Sequence, residues 1–290
     1  FTKKVQLGNQ IDRIERYIEI AQDYEYERKE KNTIIRKEPI GVVGAITPWN
    51  YPLGQIIQKV IFAILTGNAI VLKPSKQTPL VAYYVVDGLE KAGLPKGVLN
   101  LVTGQGSEVG NAIATNPEVD LVSFTGSTKG GIEVAKLAIE SVKRTALELG
   151  GKSPAIFLDE NYLEEGIKAM LGTIFNNTGQ TCSAWSRAIV LNDIKDQFEE
   201  KLIELFDYYK VGMPEDPETK VGPLSSQKQY DKVTKYIEKG RNEARVLIEN
   251  EQDLPSSEPD FSNTSAKKEK SEAGEESEEN DGSSDSKDNQ

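Results

Sequence analysis

The chain has 290 residues, of which 37% are hydrophobic, and its formal net charge is −11 at pH 7. Residues 249–290 hold 14 acidic and 4 basic side chains, so nearly all of the negative charge lies in this C-terminal stretch. The remainder is close to neutral and shows no basic patch, which argues against nucleic-acid binding. No apolar run reaches the roughly 18 residues of a membrane span, so no membrane contact is expected.

The cysteine and histidine counts narrow the chemistry. The chain contains one cysteine, Cys182, and no histidine. A lone cysteine cannot form an internal disulfide, which is typical of a reduced, cytoplasmic protein. Without an imidazole, hydrolases that use a histidine base are excluded, and no metal site is expected. No signal peptide is visible, although the sequence begins at Phe1 rather than Met.

The first part of the chain predicts a helix and then a doubly wound sheet. Residues 9–30 carry apolar residues at helical spacing (Ile11, Ile14, Ile18), which predicts an amphipathic helix, and residues 32–38 alternate weakly like a strand. From residue 41, short apolar runs alternate with helical patterns. The predicted strands are 41–46, 69–72, 98–102, 120–124 and 144–149, and the predicted helices are 53–65, 80–92, 108–114 and 128–141. This alternation predicts a Rossmann-like parallel sheet whose ligands bind at the carboxyl ends of its strands.

A second α/β domain begins after this sheet. Its predicted strands are 155–158, 188–191 and 245–248, and its predicted helices are 163–176, 195–208 and 227–242. The last stretch, 249–290, is too poor in apolar residues to offset its ordering entropy, which predicts a disordered acidic tail. The alternative is an acidic tail that binds a partner. We therefore predict a cofactor domain over 1–149, the first part of a catalytic domain over 150–248, and a tail over 249–290.

Cys182 is a candidate nucleophile. It follows a Gly-Gln-Thr stretch just beyond a predicted helix, where the backbone is expected to be exposed. A reactive thiolate needs such exposure together with a lowered pKa. The alternative is a small buried hydrophobic residue, which is the usual environment of a free cysteine.

Two further polar residues end predicted strands. Glu148 lies between two leucines and before Gly150 and Gly151, and a carboxylate between apolar neighbours can act as a general base. Its alternative is an ordinary surface glutamate at a strand end. Asn50 lies in a proline-flanked turn, where its amide could stabilise an oxyanion, and its alternative is a plain turn residue.

Several strand-to-helix turns indicate a phosphate site. Lys73 and Ser75 follow one predicted strand, and Ser127 opens a helix after another, where free amides favour phosphate. The glycine run from Gly104 to Gly110 is one residue longer than the dinucleotide pattern and is weak evidence by itself.

Taken together and in this order, these motifs resemble the aldehyde dehydrogenase superfamily. The segments ELGGKSP, beginning at Glu148, and FNNTGQTC, ending at Cys182, are similar to its two signatures, and the 34-position separation of Glu148 and Cys182 matches its spacing. The resemblance runs from about residue 5 to residue 248. It implies a nucleotide-binding domain, a catalytic domain, a small oligomerisation arm near 24–38, and assembly into homo-oligomers.

The resemblance also implies a mechanism and a set of site residues. Cys182 would attack an aldehyde, Asn50 and the Cys182 amide would hold the oxyanion, and a water activated by Glu148 would hydrolyse the thioester to a carboxylic acid. Lys59 resembles a lysine that assists proton transfer. The cofactor, NAD or NADP, would have Lys73 on its ribose, Ser127 on its pyrophosphate and Trp49 beside it. The full set that the resemblance implies for the cofactor is Trp49, Lys73, Ser75, Lys76, Gly106, Gly110, Thr125, Gly126, Ser127, Leu149 and Gly150.

The chain departs from the family pattern in two respects. Lys76 stands where NAD-preferring members have a glutamate, which predicts that NADP is tolerated; the alternative is a lysine that points to solvent. Parts of the family sequence are also absent, including the Glu-x-Phe-Gly-Pro motif and the C-terminal assembly strand. The competing hypothesis is therefore a catalytically inactive remnant that binds nucleotide, or a partner through its tail. Trp185 either narrows the aldehyde pocket or packs in the core.

Overall fold

The computed structural model describes residues 2–249. The chain divides into two units, Phe1–Leu247 and Ile248–Gln290, and every element named below lies in the first unit. Residues 250–290 lie outside the described residues, and with them almost all of the predicted disordered tail. The predicted boundary at residue 149 stays a prediction.

A helical segment and a hairpin precede the main sheet. The elements are a π-helical stretch over Thr2–Gly8, helix α1 (Asn9–Gln22), and strands β1 (Glu27–Glu30) and β2 (Thr33–Arg36). The two strands pair antiparallel, with Glu27 opposite Arg36, and these two side chains form an ion pair at 2.7 Å.

The predicted helix over 9–30 is wrong beyond Gln22. The apolar spacing that supports α1 stops near its end, so the charged residues that follow have no apolar face to bury. Residues 27–30 instead bond to β2 across a turn in which Lys31 has a φ of 55°. This hairpin falls in the region predicted as an oligomerisation arm.

A five-stranded parallel sheet forms the centre of the first unit. Its strands in chain order are β3 (Val42–Ile46), β4 (Ala69–Lys73), β5 (Leu99–Leu101), β6 (Leu121–Thr125) and β7 (Arg144–Glu148). Their spatial order is β5-β4-β3-β6-β7, and every neighbouring pair is parallel. The chain winds outward from β3 in one direction and then from β6 in the other. The predicted doubly wound sheet is therefore confirmed, with its switch point between β3 and β6.

Helices cover both faces of this sheet. They are α2 (Pro52–Leu65), α3 (Leu80–Lys91), α4 (Asn111–Thr115) and α5 (Thr128–Ile139). On one face, Ile56 and Val60 of α2 pack against Ala45 and Leu72, and all four side chains are completely buried. The other face has a separate cluster in which α4 and α5 pack on β3 and β6. Full burial of a side chain such as Ile56 stabilises the fold by about 1.5–3 kcal/mol.

A smaller parallel pair follows the five-stranded sheet. Its elements are β8 (Pro154–Phe157), α6 (Leu163–Phe175), β9 (Arg187–Val190), α7 (Lys195–Phe206) and α8 (Gln227–Glu243). Phe157, Ile167 and Phe198 belong to a core cluster between the pair and its helices. The opposite face is open, since Ile156 is 60% exposed and Ile189 is 50% exposed.

Two predicted elements differ from the structure: the helix over 108–114 and the strand over 245–248. The predicted helix over 108–114 consists of a π-helical turn, Gly106–Gly110, followed by the short α4. The predicted strand over 245–248 does not form, because a strand needs a partner for its backbone groups and none pairs with these residues in the part of the chain described. The remaining boundaries agree within about two residues.

Candidate active site

Cys182 lies in an exposed loop that follows α6. A 3₁₀ turn over Asn176–Gly179 links the helix to this loop, and within it Asn177 and Thr178 have φ values of 53° and 57°. A β-branched residue rarely adopts this left-handed conformation, so the loop stores backbone strain of the kind found at functional sites. The Thr181 hydroxyl donates to the Asn176 carbonyl at 3.0 Å and fixes the residue before Cys182. The cysteine itself is exposed, unlike the buried residue of the alternative interpretation.

Asn50, after β3, is bonded to this loop. Its side-chain amide Nδ2 donates to the Gln180 carbonyl at 2.9 Å, and Asn177 Nδ2 donates to the Asn50 carbonyl at 2.9 Å. An asparagine amide has two N–H donors, so one of them is left for another acceptor. Gln6, from the N-terminal π-helical stretch, bonds both segments through the Asn50 carbonyl at 3.4 Å and Asn177 Oδ1 at 3.3 Å.

Tyr51 makes a second connection and was not among the predicted site residues. Its hydroxyl lies 2.8 Å from Thr181 Oγ1, in the residue adjoining Cys182. Burial raises the pKa of the Tyr51 hydroxyl, the hydrogen bond with Thr181 lowers it, and the charge of Cys182 raises it further. The phenol is therefore close enough to the thiol for their charges to interact. Its position beside Asn50 was the only sequence signal for this role.

Glu148 is placed at the carboxyl end of β7, near Lys59. The backbone carbonyl of Glu148 accepts from Gly126 N at 3.0 Å, and its side chain is exposed. The flanking leucines do not bury this carboxylate, because β7 is an edge strand of the sheet. An ideal Cβ at Gly151 would lie 3.5 Å from the Cys182 carbonyl oxygen, so the segment after Glu148 touches the nucleophile loop.

Lys59 reaches over the sheet from α2. Its Nζ donates to Ser123 Oγ at 2.8 Å. Ser123 and Thr125 alternate along β6, and Thr125 pairs with Glu148, so these side chains share one face of the sheet. Burial lowers the pKa of Lys59 to about 8, and the negative charge of Glu148 offsets part of that effect. Ser123 was not predicted as a site residue, because a serine inside an apolar strand gives no functional signal of its own.

The predicted cofactor residues at and just after the carboxyl end of β4 differ in exposure. Lys73 is only 4% exposed, its Nζ donates to the Pro74 carbonyl at 3.0 Å, and burial lowers its pKa. The Ser75 hydroxyl accepts from Gln77 N at 3.3 Å. Lys76 is exposed, an arrangement that fits both a contact to a bound phosphate and the alternative of a lysine in solvent.

The turn after β6 combines an unpaired hydroxyl with a helix N-terminus. Thr125 is 8% exposed, and its Oγ1 has no hydrogen-bond partner within residues 2–249. Ser127 caps α5 by accepting from Gly130 N at 3.1 Å, which leaves other first-turn amides for an anion. An ideal Cβ at Gly126 would lie 2.6 Å from Phe124 Cζ, so this turn needs glycine.

The remaining predicted cofactor residues are either glycines with open space around them or side chains packed against neighbouring elements. Nothing lies within 4 Å of a Cβ built at Gly106 or Gly150, whereas one at Gly110 would be 4.0 Å from Lys73 Cδ. Leu149 packs over α5, and Trp49 is half-buried beside Asn50. Within the described residues, no group of side chains suited to hold a metal occurs, and no helix is long and apolar enough to cross a membrane.

The chain matches one protein family over most of its length. Residues 2–262 match the model of the aldehyde dehydrogenase family. A Staphylococcus aureus protein named "Putative aldehyde dehydrogenase" is 45% identical over 226 residues, which are 78% of this chain and 48% of that protein. The chain thus spans about half the length of this relative.

Solved structures give the same result. An aldehyde dehydrogenase from Bartonella henselae matches with a TM-score of 0.79 at 34% identity, over 84% of this chain and 52% of that chain. The aldehyde dehydrogenase C of Pseudomonas syringae, solved in complex with NAD+ and octanal, matches with a TM-score of 0.77 at 38% identity, over 82% and 50% of the two chains.

Proposed function

Since this chain belongs to the aldehyde dehydrogenase family, we propose that its site oxidises an aldehyde to a carboxylic acid with a nicotinamide nucleotide as cofactor. One observation carries the proposal. The turn after β3 and the loop before Cys182, 130 residues apart in sequence, are joined by the Asn50–Gln180 and Tyr51–Thr181 hydrogen bonds. These bonds hold an amide donor against the loop that carries an exposed thiol, an arrangement suited to covalent attack on a carbonyl.

Each step of the proposed chemistry has a residue to perform it. The Cys182 thiolate adds to the aldehyde carbon, and the oxygen that becomes negative accepts from the remaining Asn50 N–H and the Cys182 backbone N–H. A bound nicotinamide nucleotide supplies the hydride acceptor. Cys182 is then acylated as a thioester, and Glu148 takes a proton from the water that attacks it. The C–S bond breaks, the carboxylic acid leaves, and the thiolate of Cys182 is restored.

Lys59 has a supporting role in this proposal. Its lowered pKa, about 8, lets it exchange a proton near neutral pH. It lies close enough to Glu148 for their charges to interact, so a proton accepted by Glu148 has a neighbouring group to which it can pass. Ser123 holds the lysine in this position through its 2.8 Å hydrogen bond.

The residues at the carboxyl ends of β4 and β6 fit a nicotinamide nucleotide. The buried, unpaired Thr125 hydroxyl needs a hydrogen-bond partner that the described residues do not supply. The capped N-terminus of α5 suits a pyrophosphate, with Ser127 beside it. The exposed cation at Lys76 suits a 2′-phosphate, so we propose that NADP is accepted as well as NAD.

The proposal also covers the oligomerisation of the chain and its location in the cell. The β1–β2 hairpin offers exposed strand edges for pairing with a second copy, as predicted for an oligomerisation arm. The exposed thiol of Cys182 must stay reduced to act, which agrees with the expected cytoplasmic environment.

A second candidate function is nucleotide binding without turnover. It is favoured by the open apolar face of the β8–β9 pair, where Ile156 is 60% exposed. An open apolar face leaves these strands packed on one side only, and chemistry of this kind needs closely fixed positions.

Absorbance of the reduced nicotinamide separates the two functions. Purified chain is mixed with an aliphatic aldehyde and NAD or NADP, and Cys182→Ala is the matched control. A signal that grows in the native chain and vanishes in Cys182→Ala supports oxidation. No growth, while both nucleotides still bind in a titration, contradicts it and leaves nucleotide binding as the function.

A further inference from the structure

Gln180 closes the strained turn that precedes Cys182. Three successive residues of this turn have left-handed backbone, since the φ values of Asn177, Thr178 and Gly179 are 53°, 57° and 70°. Such backbone persists only where surrounding contacts fix it. Gln180 supplies two of these contacts, because its backbone N–H donates to the Asn177 carbonyl at 3.1 Å and its side-chain Nε2 donates to the same carbonyl at 3.0 Å.

The oxygen of the Gln180 side chain is bonded to a distant segment. It accepts from the backbone N–H of Ser225 at 3.0 Å, in the stretch that leads into α8. The same stretch contacts the turn at a second point, because an ideal Cβ at Gly222 would lie 3.8 Å from Thr178 Oγ1. The side-chain amide thus uses a donor on the turn and an acceptor on a segment 45 residues away. No side chain that only donates or only accepts could make both bonds.

The backbone carbonyl of Gln180 sets the direction of the Asn50 amide. It accepts from Asn50 Nδ2 at 2.9 Å and from Asn177 Nδ2 at 3.4 Å. An asparagine amide carries two N–H donors in one plane, so directing the first at this carbonyl also directs the second. The second N–H is the one assigned to the oxyanion in the proposed function. A displaced Gln180 carbonyl would therefore turn that donor away from its acceptor.

We propose that Gln180 is a positioning residue for carbonyl addition at Cys182: its side chain fixes its own carbonyl, and that carbonyl aims the Asn50 amide at the developing oxyanion. The inference rests on the proposed function, in which Asn50 donates to that oxygen. Gln180 acts through Asn50 and leaves the thiol itself unchanged. Its loss should slow the reactions of Cys182 that form an oxyanion and spare those that do not.

Two reagents separate these reactions in the purified chain. p-Nitrophenyl acetate acylates the Cys182 thiolate through a tetrahedral oxyanion: the S–C bond forms, the ester C–O bond breaks, and coloured p-nitrophenolate leaves. Iodoacetamide alkylates the same thiolate by displacing iodide from a saturated carbon, so no oxyanion forms. Cys182 is the only cysteine, and Cys182→Ala gives the background of each reagent. Neither reaction needs an aldehyde or a nicotinamide nucleotide.

Gln180→Met is expected to lower the acylation rate about 10- to 100-fold and to change the alkylation rate less than about twofold. Asn50→Ala, which removes the donor itself, should show the same selective loss and should set its upper limit. Gln197→Met, the same change at an exposed position of α7, should match the native chain in both reactions.

Gln180→Glu provides a second test, which depends on pH and remains available if Gln180→Met does not fold. Its carboxylate can accept from Ser225 N–H but cannot donate to the Asn177 carbonyl, whereas the protonated carboxyl can do both. Its acylation rate, divided by that of the native chain, should therefore be low at pH 7 and rise as the pH falls toward about 4.3, the ordinary pKa of a glutamate. The same ratio for Gln180→Met should stay constant, because methionine has no group that titrates.

The outcomes are distinct. Equal losses of acylation and alkylation, or a ratio for Gln180→Glu that does not change with pH, would reduce Gln180 to a structural residue and overturn its positioning role. Unchanged acylation in Gln180→Met or in Asn50→Ala would overturn it as well. Selective loss of acylation in a chain that produces no reduced nicotinamide supports the role of Gln180 while contradicting aldehyde oxidation by this chain.

Discussion

Replacing Lys59 by methionine is expected to stabilise the chain at neutral pH. Lys59 is held between α2 and the sheet, where burial lowers its pKa from 10.5 to about 8 even with Glu148 nearby. At pH 7 the folded chain therefore carries a cation that is poorly solvated. Methionine has a similar length, needs no solvation, and fills irregular space well.

The magnitude follows from the two pKa values. Between pH 8 and 10.5 the unfolded chain still holds a proton on Lys59 that the folded chain has released, so stability rises with pH across this window. The full penalty is present below the folded pKa and is absent above the unfolded pKa. The difference corresponds to about 3 kcal/mol. Loss of the hydrogen bond to Ser123 costs about 1 kcal/mol, so Lys59→Met should gain about 2 kcal/mol at neutral pH.

Urea unfolding followed by circular dichroism measures this effect. The native chain should gain stability between pH 7 and about 10.5, and Lys59→Met should lack that gain. The difference between the two profiles removes the contribution of tyrosines that titrate in the same range. Lys136→Met, at an exposed position of α5, should follow the native profile. A Lys59→Met variant that is less stable at pH 7 and keeps the native slope would refute the argument that Lys59 is desolvated.

Two other substitutions test packing and cofactor choice. Gly44→Ala should cost about 1–3 kcal/mol in urea unfolding, because its Cβ would lie 2.3 Å from Ile113 Cγ2; Gly88→Ala, with nothing within 4 Å, should be neutral or stabilising, and equal effects would contradict the packing described for β3. Lys76→Glu should weaken NADP binding roughly five- to tenfold more than NAD binding in a calorimetric titration, and equal losses would show that this cation does not contact the 2′-phosphate.

The sheet could be predicted because its physical signal is local. Strands β3, β4 and β6 are short apolar runs buried on both faces, and helical patterns between them require crossover connections. The hairpin of β1 and β2 could not be predicted in the same way. Its strand over 27–30 is entirely charged, and its stability depends on pairing with residues 33–36.

The sequence predicted candidate site residues but only part of their environment. Asn50, Glu148 and Cys182 were proposed from motif chemistry and spacing, and their catalytic roles stay predictions. The exposure of Glu148 was not predicted, because it follows from β7 being the last strand of the sheet, which is a property of the strand order. Likewise the contacts of Tyr51 and Ser123 join segments 130 and 64 residues apart. A pattern within one segment carries no information about such contacts.

The start of α2 decides which side chains face the site. Pro52 occupies the first turn of this helix, where its fixed φ favours initiation, and Tyr51 has the extended φ of −132° just before it. With the start fixed there, Lys59 follows two turns later on the side of Tyr51. Because successive residues in a helix are rotated by about 100°, starting the helix one residue later would turn this flank toward the core or α1. The two prolines around Asn50 and Tyr51 therefore position the site by fixing the rotation of α2.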